Sequence, residues 1–83
     1  MTGRFEIGEN EKHYLTVDWS LLSKQLRIEL DGEILVREWH LSPGAKRVEL
    51  DVGHSEPHHV LVVAGGLHRT EVRVDGARIE PMP

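Results

Sequence analysis

Six histidines stand in 83 residues, and three of them fall in one stretch, His54-Ser55-Glu56-Pro57-His58-His59. Imidazole and carboxylate are donors that zinc and other borderline divalent metals favour. His54, Glu56, His58 and His59 are therefore the candidate metal ligands of this chain. The spacing matches no zinc motif, and successive residues of an extended strand point to opposite faces. His58 and His59 can share an ion only if the strand begins after them; otherwise they are solvated loop histidines. His13, His40 and His68 stand singly and are expected at strand ends or on solvent faces.

Nucleophilic catalysis needs a Ser or Cys with a base and an orienting acid. Cysteine is absent. Ser20, Ser23, Ser42 and Ser55 fall in loop-like stretches, and none sits in a Gly-x-Ser-x-Gly elbow. Acid–base catalysis by paired carboxylates requires burial to raise one pKa, whereas the acids here alternate with apolar residues, as on an exposed sheet face. Gly65-Gly66 precedes no helical pattern, so it reads as a turn and not as a phosphate loop. No cofactor is implied, and the chain reads as non-enzymatic.

Trp39 is the strongest candidate for a binding contact. It shares parity with Arg37, an outward-facing type, and an exposed Trp beside an Arg is the usual composition of an interaction hot spot. Trp19 shares parity with Leu15 and Val17 and is expected in the core; Trp39 could lie on either side. Ten basic and fourteen acidic residues give a net charge of −4. The basic residues are scattered singly, so there is no concentrated positive field for a polyanion, and nucleic acid is not expected as a partner. Four aromatics are too few for a base-stacking platform.

The elements that must position these residues are strands. Lys24 to Trp39, KQLRIELDGEILVREW, is the clearest: Leu26, Ile28 and Leu30 alternate with Arg27 and Glu29. Asp31-Gly32 then supplies a two-residue type I′ turn, where both central residues need positive φ. Further strands are expected at residues 4–7, 13–19, 46–52, 58–64, 70–74 and 77–80. Ile34, Leu35 and Val36 are consecutive and apolar, which means either two covered faces or a bulge. His58 to Ala64 is apolar on both parities and reads as a central strand covered on both sides. Leu21 and Leu22 are expected to tuck over one end of the core. LRIELDGEIL and TEVRVDGARI resemble each other, either as an internal repeat or as one hairpin chemistry used twice.

No segment shows a sustained helical period. Seven or eight short strands with turns about every ten residues predict one all-β domain spanning residues 1–83, an antiparallel β-sandwich or flattened barrel with mostly meander connections. The longest apolar run, Val60 to Ala64, is far short of the ~20 residues that span a bilayer. With no signal-peptide core and no cysteine, a soluble cytoplasmic protein without a membrane partner is expected.

The hairpin with its flanks resembles the Fas apoptotic inhibitory molecule family: a strand from His13 to Trp19, a loop from Ser20 to Lys24, a strand running to Asp31-Gly32-Glu33, and a return closing on Arg37-Glu38-Trp39. The alternating strand, Asp-Gly turn and short strand from Glu71 to Ile79 fit the family's repeat ending. The resemblance covers about residues 5 to 80 and implies an antiparallel β-sandwich with a non-enzymatic, interaction-based role, in a family linked to protection from cell death and from aggregation. Its eukaryotic members carry two such domains, and this chain has one. The resulting expectation is a protein-interaction module, with a second copy as partner in a homodimer. A ligand- or metal-binding domain using the His54–His59 stretch is the alternative.

Overall fold

The structure is a computed structural model and describes residues 2–67 and 69–83. His68, expected at a strand end or on a solvent face, lies outside the described residues. Eight strands follow in order: β1 (Thr2–Ile7), β2 (His13–Trp19), β3 (Gln25–Leu30), β4 (Glu33–Trp39), β5 (Lys46–Val52), β6 (His58–Ala64), β7 (Glu71–Val74) and β8 (Ala77–Ile79). They form two four-stranded antiparallel sheets, β1-β2-β3-β4 and β5-β6-β7-β8, each a simple meander. The chain is an all-β sandwich of two separate sheets and not a closed barrel.

Alternation places one face of each sheet inside. Phe5, Ile7, Leu15, Val17, Trp19, Leu26 and Ile28 come from the first sheet, and Val52, Val60, Val62, Ala64 and Val72 from the second; none is more than 5% exposed. They join in one cluster, with Leu30, Val36, Val48, Leu50, Val74 and Ile79 packed at its margin. Each fully buried aliphatic contributes about 1.5–3 kcal/mol relative to exposure, and this cluster holds the sheets together.

Both Asp-Gly pairs make the expected turn. Asp31 and Gly32 have φ of 51° and 85°, and Asp75 and Gly76 have 50° and 86°. The consecutive apolar residues of β4 resolve as a bulge: Ile28 pairs with Val36 but Glu29 pairs with Ile34, leaving Leu35 as the extra residue. Val36 therefore faces the core while Arg37 and Trp39 face outward.

Two expectations need correction. Leu21 and Leu22 do not cover the core: Leu21 is exposed and Leu22 is 99% exposed, because Trp19 and the 65–66 turn already close that end. The strand β6 is central within its sheet, between β5 and β7, but only one face is fully buried. Leu61 and Val63 are half-buried on the outer face. Their cross-strand neighbours are Glu49 and Arg73, and Arg47 and Glu71, whose long stems shield apolar surface while their charges stay in water.

Candidate functional site

The meanders sort the connections to two ends of the molecule. Residues 8–12, 31–32, 53–57 and 75–76 lie at one end; residues 20–24, 40–45, 65–67 and 69–70 lie at the other. The longest dimension is 37 Å, which accommodates a seven-residue strand at about 3.3 Å per residue with loops beyond it.

The first end is built from two matching clusters. His13 places Nε2 at 2.5 Å from Glu11 and Nδ1 at 2.6 Å from Asp31. His58 places Nε2 at 2.6 Å from Glu56 and Nδ1 at 2.5 Å from Asp75. Each aspartate also anchors its own hairpin: Tyr14 N–H donates to Asp31 at 2.9 Å, and His59 N–H donates to Asp75 at 2.9 Å. The glutamates then cross between the sheets. Glu11 accepts the backbone N–H groups of His54, Ser55 and Glu56 at 2.7, 2.6 and 3.3 Å. Glu56 accepts those of Glu9 and Asn10, both at 2.8 Å.

These clusters are copies related by the sandwich. Glu56 stands 45 residues after Glu11, and the same offset carries Gly8 to Gly53 and His13 to His58. Gly8 and Gly53 have φ of 97° and 102°. A Cβ at either would collide with the carbonyl of Glu11 or Glu56 respectively, so only glycine closes these loops. The resemblance of the two Asp-Gly hairpins is thus part of a larger repetition, one four-stranded unit used twice.

Charge follows the geometry. Hydrogen bonding to Asp31 and then Glu11 raises the pKa of His13 above the ordinary 6.5; Glu56 and then Asp75 do the same for His58. The His13 contact and the N–H groups of His54 and Ser55 hold Glu11 down at about 2. The His58 contact, with Asn10 and Glu9 N–H, holds Glu56 at about 2. Asp31 and Asp75 are lowered by the same imidazoles and by the N–H groups of Tyr14 and His59. Each cluster is an imidazole between two carboxylates, which favour its protonated form. With both ring nitrogens engaged, neither histidine has a free nitrogen for a substrate proton or a metal. The arrangement clamps two loops together.

The candidate metal ligands are dispersed by this arrangement. His58 and Glu56 belong to the clamp. His59 points to the other face, where it meets Asp51 at 3.5 Å and Glu49 at 3.4 Å, and these raise its pKa. His54 is exposed and contributes its backbone N–H to Glu11. Among the described residues no group of three or more His, Asp or Glu is arranged to hold a metal ion. The sequence reading missed Glu11, His13, Asp31 and Asp75; the recurring Gly-x-x-Glu-x-His, at Gly8 and again at Gly53, was the signal that could have found them.

The opposite end exposes large apolar side chains. Trp39 is 75% exposed, Leu41 79%, Leu67 80% and Leu22 99%. Leu67 follows Leu22 by the same offset that relates the two clamps, so the matching loops each carry a leucine at the tip. The loops are held from beneath: Trp19 Nε1 donates to the Gly66 carbonyl at 3.1 Å, and His40 stands edge-on to Trp19 with ring centroids 6.0 Å apart. Arg37 is exposed on the same strand face as Trp39. Residues 20–24, 40–45 and 65–70 contain no Asp or Glu, whereas the clamp-end connections hold Glu9, Glu11, Asp31, Glu56 and Asp75.

No protein-family model, curated protein or solved structure matches this chain. Among the described residues no helix is long and apolar enough to cross a membrane.

Proposed function

We propose that this chain is a non-enzymatic β-sandwich interaction module that associates with a protein partner, first of all a second copy of itself, through the end bearing Trp39. The observation that carries this reading is the contrast between the two ends. At one, polar groups are internally satisfied. At the other, Trp39, Leu22, Leu41 and Leu67 stand in solvent with Arg37 beside them. Exposed apolar side chains are the material of contact surfaces, and Trp and Arg dominate hot spots; Ile34 and Leu35, at the clamp end of β4, are only 46% and 42% exposed.

Self-association suits the charge distribution. Two copies meeting at their acid-free ends desolvate no loop carboxylate, and their acidic ends stay far apart. Lys24 lies in a contributing loop and can extend its stem over apolar surface with its ammonium in water. A twofold contact of this kind is self-complementary and closed. The resemblance to the Fas apoptotic inhibitory molecule family agrees with an interaction role, and a dimer would set two such β domains side by side. A cytoplasmic setting belongs to the same proposal.

Sedimentation velocity over a wide concentration range, on the parent and on Trp39→Ala, tests it. The expected result is a dimer that forms with concentration and is lost in the variant.

A further inference from the structure

The sandwich has two seams where the sheet edges face each other, and they differ. At the β4–β5 seam, Lys46 and Glu38 form an ion pair across the gap. The β1–β8 seam is open and holds a groove of about 350 Å³. Its polar lining is dominated by three arginines, Arg4, Arg69 and Arg78; Glu80 is the one acid among the lining residues.

None of the three guanidiniums is tightly held by a carboxylate. Arg4 lies over the Tyr14 ring at 5.0 Å, a stack that leaves its N–H edge free to donate. Arg78 has Glu80 at 3.8 Å and Glu71 at 3.9 Å, both beyond hydrogen-bond length. Arg69 makes no ion pair among the described residues. The remaining wall mixes Thr2 and Thr70 with the apolar Ile79, Pro81 and Met82, while Phe5 is itself buried. It is fixed in place because Met82 N–H donates to the Arg4 carbonyl at 2.6 Å, drawing the C-terminal tail across the β1 edge.

We propose that this groove binds a small amphipathic anion, with one carboxylate or phosphate group held by Arg69 and Arg78 and an apolar body against Ile79, Pro81 and Met82. Planar forks of N–H donors match both head groups, and such charge-assisted pairs are roughly twice as strong as neutral ones. A groove that sets charged donors beside an apolar wall offers a ligand of this kind a contact for each of its two parts. This proposal stands apart from the docking surface around Trp39 and survives if that surface has no partner.

The test is an amide NMR titration with decanoate below its micelle concentration and, separately, with decyl phosphate. Decanol and inorganic phosphate serve as half-ligands. The expected result is saturable shifts confined to residues 2–5, 69–70 and 78–82, with binding weakened about tenfold or more in Arg69→Ala/Arg78→Ala and an unchanged melting temperature. Each half-ligand binds more weakly than the whole. Either head group binding in this way supports the proposal, and the tighter one identifies the source of the anion. No localised shift, equal affinity in the double variant, or shifts centred on Leu22 and Trp39 would overturn it.

Discussion

Glu11 and Glu56 cap each other's loops: the Glu11 carboxylate accepts N–H groups from residues 54–56, and the Glu56 carboxylate accepts those of residues 9 and 10. The exchange ties the β1–β2 loop of one sheet to the β5–β6 loop of the other. Because His13 and His58 hold the same glutamates from behind, loop closure depends on protonation.

Stability should peak between about pH 4.5 and 6.5 as far as the clamps decide it. His13 and His58 have raised pKa values, so their contribution is full below the ordinary histidine value and is lost as pH rises through the raised one. His59 adds to that alkaline limb. Glu11 and Glu56, lowered to about 2, contribute above the ordinary carboxylate range and lose it as pH falls toward 2. Denaturation midpoints measured from pH 3 to 9 should trace this dome, and His13→Gln/His58→Gln should flatten its alkaline side. An unchanged alkaline limb would mean that the imidazoles are not charged in the fold.

Removing one glutamate leaves N–H groups of the opposite sheet's loop without their acceptor. Glu11→Ala should therefore lower the melting temperature and speed amide exchange at Ser55, in a loop far from it in sequence. Glu33→Ala, an exposed acid that makes no clamp contact, should do neither. Faster exchange confined to residues 8–12 in Glu11→Ala would contradict the crossed arrangement.

Gly8→Ala and Gly53→Ala should each destabilise the protein by more than about 1 kcal/mol, since positive φ and a carbonyl in the path of Cβ both oppose the new methyl. Urea titration reads this directly. If the two losses are similar, the repeated units are energetically as well as geometrically alike.

Ile28 and Trp39 separate folding from binding. Ile28 is 0% exposed, and Ile28→Ala should cost about 2–5 kcal/mol. Trp39→Ala removes the larger side chain yet should change stability by only about 0.5 kcal/mol, as for most surface positions. A large loss at Trp39 would show that the residue supports the sheet.

Strands were legible because burial on one face imposes alternation, visible in Leu26-Ile28-Leu30 and in Val48-Leu50-Val52. The Asp-Gly turns were legible because few residue pairs tolerate positive φ twice in succession. The paired clamps were not, since they join Glu11 to residues 54–56 across two sheets, and a contact of that separation leaves no local pattern. Only the repeated glycine, glutamate and histidine spacing hinted at it. The side taken by Trp39 was undecided for a different reason: Ile34, Leu35 and Val36 offer two phases, and parity counted from Leu35, the extra residue of the bulge, puts Trp39 on the wrong face.

In the proposed function the Trp39 end is the contact surface and the clamp end is not. Sedimentation velocity from micromolar to millimolar concentration tests it most directly. The expected result is a concentration-dependent dimer that Trp39→Ala or Leu22→Ser abolishes without unfolding the chain. A monomer throughout that range, or a dimer indifferent to both substitutions, would contradict it.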